Sequence, residues 1–340
     1  MNITEYHQNM TVEYCFLDNN SSCRKEVRTG LGNIILFIFL SCIIICNVFL
    51  NLLVIFSISH FKQLHTPTNL LILSLAVADL LMGLVVMPVN TMQLRDSCWY
   101  PGKMACTLFL IINSISMSAS LCNMVFIAVD RYIAISDPLL YSIKVTVCKM
   151  SLFIILGWSC SLLYVLIYLY FNDHLLPSQI MSRCHGECIL IIKSSWVIID
   201  LVISFLCPCS VIVILYSIIF TLARRQAKAV RSILNATSNR HRDKVSKSSN
   251  SKAGKTLGIV VCVYLATWIP FCLCSLSVQN ITSLSLVWTV LAWLISINSS
   301  VNPLIYAIFY PWFRASAKYI VTCRLFNLSS STFHSFSKHI

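Results

Sequence analysis

A chain of 340 residues that is 57% hydrophobic and 11% charged is too apolar for a water-soluble domain. With only 8 Gly and 9 Pro, it does not have a fibrous or low-complexity composition either. The formal net charge of +13 is concentrated in one loop and the C-terminal tail, a pattern that suits membrane orientation and contact with anionic lipid rather than nucleic-acid binding.

Apolar runs long enough to cross a bilayer, about 20 residues each, recur near 32–58, 68–92, 104–136, 148–170, 194–222, 256–278 and 285–310. They are continuous rather than alternating, which argues against a β-barrel. The expected fold is all-α: a seven-transmembrane helix bundle over 32–310, preceded by an N-terminal segment over 1–31. A short amphipathic helix and a tail are expected over 311–340. Between the fifth and sixth spans, residues 224–255 hold ten basic side chains against Asp243, and the tail adds Arg314, Lys318, Arg324 and Lys338. The N-terminus and the connections on its side are balanced, with seven basic and seven acidic residues. The positive-inside rule therefore puts the C-terminus in the cytosol and the N-terminus outside a multi-pass plasma-membrane protein.

In chain order, the N-terminal segment carries glycosylation sequons at Asn2, Asn9, Asn19 and Asn20 and has no removable signal peptide. Six cysteines fall on the outer side: Cys15, Cys23, Cys98, Cys106, Cys184 and Cys188. Their even number is consistent with up to three disulfides, and sequence alone allows 15 pairings. Span one carries Asn51, and span two carries Asp79 at the end of "LAVAD". Span three has Asn113 seven residues after Cys106, with Ser114 and Met117 flanking it, and ends in "DRYIAISDPLLY", 130–141. Span six contains "WIPF", 268–271, where Pro270 removes a backbone donor and kinks the helix. Span seven contains "NSSVNPLIYAIFYPWF", 298–313.

Span five holds the most unusual residue. "SSWVIIDLVISFLCPC", 194–209, is apolar except for Asp200 near its upstream end. An ionised aspartate costs roughly 2.5–3.5 kcal/mol near the centre of a membrane helix, and no span carries Lys or Arg in its apolar core. Asp200 is seven residues past Lys193, about 10 Å into the helix, a depth similar to that of Asn113 below Cys106. Three readings are open: a protonated, hydrogen-bonded acid; a hydrated, inert one; or a counter-ion whose cation arrives with a ligand. Ser204 lies one turn further on the same face.

Asn51, Asp79, the DRY stretch, WIPF and NPLIY, in this order, resemble the rhodopsin-like G-protein-coupled receptors over roughly 32–325. The seventh span fits N-S-x-x-N-P-x-x-Y-x-x-x-Y-x-W-F, a fingerprint of the trace amine-associated receptors, and "SCWYPGKMAC" and "CHGEC" also look like that family. In amine receptors the position of Asn113 normally holds the aspartate that pairs with the ligand's ammonium, and the aromatic residue that bonds it from span seven is here Ser296. A lost span-three acid with a span-five acid retained is similar to a fish branch of the family.

The resemblance implies an olfactory-type amine receptor with Asp200 as counter-ion. Asn113, Ser114, Met117, Ser204 and Ser296 would line the pocket, with Trp268, Phe271 and Trp293 as its aromatic faces. A monoamine with an apolar body fits the single clear acid, and Glu187 leaves diamines open. The resemblance further implies a stimulatory-type G protein as partner, docking near Asp130, Arg131, Tyr132, Tyr216, Asn302, Pro303 and Tyr306. It implies disulfides Cys106–Cys188, Cys15–Cys184 and Cys23–Cys98. It implies no cofactor, except that Asp79, Ser120, Asn298, Ser299 and Asn302 would surround an allosteric sodium ion, the alternative being a protonated Asp79 in a metal-free network. In relatives an acid at the base of span six also holds the DRY arginine, and here that position is Asn250. No metal pair or nucleophile elbow points to an enzyme. A transporter and a receptor for a non-amine ligand are the rival readings.

Overall fold

The computed structural model describes residues 13–175, 184–190, 192–236, 262–274 and 286–322. Span one is Leu31–His60. Span two runs through Pro67–Leu81, Met82–Val86 and Met87–Arg95. Span three is Lys103–Ser136, followed by a short loop helix, Pro138–Lys144. Span four is Val147–Phe171. Span five runs through Ser194–Leu201, Val202–Leu206 and Cys207–Ala236. Span six is described over Cys262–Cys274, and span seven is Leu286–Phe309. The terminal helix Pro311–Val321 buries Trp312, Phe313 and Ser316 while exposing Arg314 and Lys318. The first five spans are long and apolar enough to cross a membrane. The all-α seven-helix bundle with a short amphipathic helix behind it is the observed architecture, and the third and fifth helices continue to Ser136 and Ala236.

Local chemistry explains the boundaries. Thr66 and Thr146 accept from the backbone N–H of Asn69 and Lys149, three residues on, and so cap spans two and four. Proline opens span two, the loop helix and the terminal helix, where its missing N–H would be unpaired anyway. Two π turns, Met82–Val86 and Val202–Leu206, each end two residues before a proline, Pro88 and Pro208. A proline ring inside a helix clashes with the carbonyl four residues earlier, and one extra residue in the turn relieves that clash. In span five the relieved carbonyl belongs to Ser204, so the π turn sets the backbone that carries Asp200 and Ser204.

The bundle is packed in layers. Leu121, Met124, Phe205, Cys209, Ile212, Tyr264 and Ile305 join spans three, five, six and seven. Leu53, Val54, Ile72 and Ala76 of spans one and two receive Trp312 and Phe313 of the terminal helix. Spans one and two approach closely at Gly83, where an added Cβ would lie 2.6 Å from Asn47 Oδ1. Large apolar side chains such as Phe39, Phe49 and Phe56 of span one face outward, as lipid contact demands.

The N-terminal segment folds onto the connections at its end of the bundle. Cys23 N–H donates to His185 O at 2.9 Å and His185 N–H to Ser21 O at 2.7 Å, while Glu26 N–H donates to Ser97 Oγ at 2.9 Å. β pairing among the described residues is confined to isolated bridges at Tyr14–Arg24, Ser22–His185 and Val27–Asp96. All six cysteines expected on the outer side are in disulfides: Cys106–Cys188, Cys15–Cys98 and Cys23–Cys184. The first is the pair implied by resemblance. The other two correct the expected Cys15–Cys184 and Cys23–Cys98 by exchanging partners. The physical reason is the path of the segment. The hydrogen bonds that seat residues 21–23 along His185 put Cys23, rather than Cys15, next to Cys184.

Candidate functional site

Asp200 is half-buried, and its partners come from two helices. Tyr164 of span four donates its hydroxyl to Asp200 Oδ1 at 2.6 Å. Ser204, one turn along span five, donates to the same oxygen at 2.8 Å and lies 3.1 Å from the Tyr164 hydroxyl. Two hydroxyl donors on one carboxylate oxygen fix the orientation of the carboxyl group. Among the described residues Oδ2 takes no hydrogen bond and no cation pairs with the acid. Lys193, the nearest cation in sequence, is held 2.7 Å from Asp173 instead.

Of the other pocket residues named from the sequence, Asn113 is the most telling. Its Oδ1 is buried and takes no hydrogen bond among the described residues. Ser114 beside it is half-buried. Met117 packs with Tyr164 and Trp196 against the cluster built on Met82, Leu110 and Tyr168. Trp268 stacks on Phe205 at 6.1 Å and on Tyr264 at 5.5 Å, and meets Phe271 edge-on at 6.1 Å. Because Phe205 directly follows Ser204, the chain connects the acid to the Trp268 stack without a gap. Trp293 sits elsewhere: it packs with Leu40 and Met87 of spans one and two, apart from the Trp268 cluster. Ser296 is fully buried, with its hydroxyl donated to Ala292 O at 2.8 Å.

At the other end of the bundle Asp130 gathers four donors. Arg131 donates through Nε at 3.0 Å and through Nη2 at 2.6 Å, Thr68 at 2.8 Å and Tyr141 at 2.7 Å. Arg131 also contacts the Thr68 hydroxyl. Burial holds the Tyr141 phenol above its ordinary pKa, so it remains protonated and donates. A cleft of about 570 Å³ opens beside this knot, lined by Pro67, Thr68, Arg131, Tyr141 and Thr146. Tyr132 is half-buried next to Arg131, and Tyr216 packs against the cores around Met124 and Ile127. Pro303 and Tyr306 lie within span seven.

Mid-bundle, Asp79 is fully buried and accepts from Asn302 Nδ2 at 2.8 Å. Asp79 Oδ1, Asn298 Oδ1 and Asn302 Oδ1 take no hydrogen bond among the described residues, and Ser120 and Ser299 are buried on spans three and seven. Hard oxygen donors without partners suit a small hard cation. Asn51 donates to Ser299 O at 3.3 Å, tying span one to the same layer.

Tyr164, Thr68 and Tyr141 carry much of these two sites, and sequence reasoning did not find them. Tyr164 and Tyr168 stand one turn apart on span four, a spacing that marks a shared helix face but does not say what that face meets. Asn19 and Asn20 are exposed, as a glycosylation site requires. Asn2, Asn9 and Asn250 lie outside the described residues.

A seven-helix bundle with a buried Asp79–Asn302 pair and an Arg131 tied down at one end is a membrane receptor architecture, and residues 50–306 match the family model of the seven-transmembrane receptors of the rhodopsin family. The chain is 38% identical to trace amine-associated receptor 6 of Homo sapiens, over 97% of this chain and 98% of that protein. It is 38% identical to trace amine-associated receptor 9 of Mus musculus, over 96% of each. With trace amine-associated receptor 13c of Danio rerio it shares 37% identity, again over 96% of each. The chain belongs to the rhodopsin family of seven-transmembrane receptors and, within it, to the trace amine-associated receptors, a family of receptors rather than enzymes.

Proposed function

We propose that this receptor detects protonated amines in the olfactory system, with Asp200 as the ammonium's counter-ion, and signals through a stimulatory-type G protein. The observation that carries this reading is the state of Asp200. Its Oδ1 is saturated by two hydroxyl donors, its Oδ2 is open, and no cation of the described protein balances it. An acid in an apolar helix with one oxygen held and the other free is arranged for a cation brought from outside. Asn113 offers its unpartnered carbonyl to a donor elsewhere on the ligand. Ser114, Met117, Phe271 and Ser296 complete the proposed lining, while Trp293 packs against Leu40 and Met87 instead.

The basic loop after span five and the tail face the cytosol in this reading, and the disulfide-tied N-terminus, glycosylated at Asn2, Asn9, Asn19 and Asn20, faces outward. A ligand drawn to Asp200 shifts the Ser204–Phe205 turn, and Phe205 transmits the shift to Trp268 through ring contact. The G protein then reads the release of Arg131 from Asp130, a two-state element biased from the far side, with Tyr132, Tyr216, Asn302, Pro303 and Tyr306 in its docking region. A sodium ion held by Asp79, Ser120, Asn298, Ser299 and Asn302 would neutralise the buried charge. The three unpartnered oxygens there fit it.

The test is cyclic AMP accumulation in transfected cells exposed to a panel of mono- and diamines, comparing wild type with Asp200→Asn and Asp200→Glu at matched surface expression. Loss of response in Asn and partial recovery in Glu are expected. Unchanged responses in the surface-expressed Asn variant would refute the counter-ion role and move the search to uncharged ligands.

A further inference from the structure

Span four brings a second tyrosine close to Asp200. Tyr168 follows Tyr164 by one turn, with the two rings stacked at 6.1 Å, and is 4% exposed. Its hydroxyl takes no hydrogen bond among the described residues, and its ring neighbours are Tyr164, whose hydroxyl bonds Asp200, and Trp196, one turn before Asp200 on span five. A buried phenol left unpaired is costly and calls for a partner. Two acceptors thus stand open in one neighbourhood, Asp200 Oδ2 and Tyr168 Oη, and no donor of the described protein serves either.

The number of N–H groups on an amine decides how many acceptors it can satisfy. A primary ammonium has three donors, a dimethylated one has a single donor, and a trimethylated one has none. A trimethylated cation relies instead on open aromatic faces. Those faces are already engaged here: Tyr164 stacks on Tyr168, Trp196 stacks on Phe171 at 5.2 Å, and Trp196 meets Tyr168 edge-on at 6.3 Å. Beside Tyr168 the site therefore offers oxygen acceptors while the aromatic faces there are taken, and the faces of Trp268 and Phe271 belong to the separate span-six stack.

We propose that Tyr168 is a second acceptor for the ligand's ammonium and makes this receptor selective for primary amines over tertiary and quaternary ones. This inference rests on Asp200 as counter-ion and adds the class of amine. In it, Tyr164 and Ser204 hold one carboxylate oxygen so that the other faces the ammonium, and Tyr168 receives a second N–H.

The experiment is a dose-response series in cells with phenylethyl, cyclohexyl and pentyl bodies, each as the primary amine and its N-methyl, N,N-dimethyl and N,N,N-trimethyl forms. Wild type, Tyr168→Phe and Asp200→Asn are compared at matched surface levels. In wild type, potency falls with methylation, by about tenfold or more at the dimethyl stage, the scale of one hydrogen bond. In Tyr168→Phe the primary amine weakens by about tenfold while the trimethyl form is unchanged, so the gap closes. A wild type that responds equally to or better with the methylated forms would overturn the proposal without any variant. If Asp200→Asn abolishes the response while Tyr168→Phe keeps the wild-type methylation profile, only the part played by Tyr168 falls. Unchanged responses in Asp200→Asn, or a wild type silent to the whole series, would overturn the amine reading and this inference with it.

Discussion

Asp200 Oδ1 receives the hydroxyls of Tyr164 and Ser204 at 2.6 and 2.8 Å, and together they hold the carboxylate in one orientation. Removing either donor leaves the carboxylate less well held. Tyr164→Phe or Ser204→Ala is expected to weaken amine potency by about three- to tenfold, equivalent to ~0.5–1.5 kcal/mol, with surface expression near wild type. Amine dose-response curves at matched receptor density check it, and an unshifted curve in both variants would count against the arrangement. Asp200 was legible in the sequence because a lone carboxylate stands out in an apolar run. Tyr164 was not, because its meaning lies in a contact with a residue 36 positions away, and a tyrosine in a membrane helix otherwise looks like any amphipathic aromatic. Trp293 shows the same limit from the other side: an aromatic residue on span seven was readable, but its seat against Leu40 and Met87 was not.

Whole helices are easier to read than single contacts. Length and hydropathy placed the spans because the bilayer itself fixes how long an apolar helix must be. The π turns at Met82–Val86 and Val202–Leu206 were missed, although Pro88 and Pro208 marked where a helix must yield. The loop helix Pro138–Lys144 presents Tyr141 to Asp130, and span two presents Thr68 to the same carboxylate, so in the proposed mechanism both bear on the resting state. These two hydroxyls help keep Asp130 and Arg131 paired. Tyr141→Phe and Thr68→Val are each expected to raise agonist-independent cyclic AMP, since a lost bond to a charged group, ~1.5–3 kcal/mol, shifts a two-state balance by about tenfold or more. Basal signal normalised to surface receptor is the measurement, and a basal level at or below wild type in both would contradict the restraint.

Across the whole molecule, the N-terminal segment is tied to both the span-two/three connection and the span-four/five connection, through Cys15–Cys98 and Cys23–Cys184. Sequence supplied the six cysteines but not their partners, because pairing depends on how residues 13–28 run over the bundle. Double substitutions separate the two patterns. Cys15→Ser with Cys98→Ser breaks one bond and is expected to lower surface expression no further than either single change. Cys15→Ser with Cys184→Ser breaks two, each contributing about 2–4 kcal/mol, and is expected to be clearly worse than either. The opposite ranking would restore the exchanged pairing. The class of protein was readable for a related reason: DRY, WIPF and NPLIY are each weak, but their order along one chain is a property of the entire bundle.

In the proposed function Asp200 and the ligand's ammonium are the two halves of one interaction, and a double-mutant cycle isolates it. Potency would be measured for an activating amine and for its uncharged isostere of the same shape, each on wild type and on Asp200→Asn. A coupling of about 1.5–3 kcal/mol, roughly 10- to 150-fold, is expected, with the amine losing potency on the variant and the isostere losing none. Equal losses for both ligands, or none for either, would show that Asp200 does not pair with the ammonium.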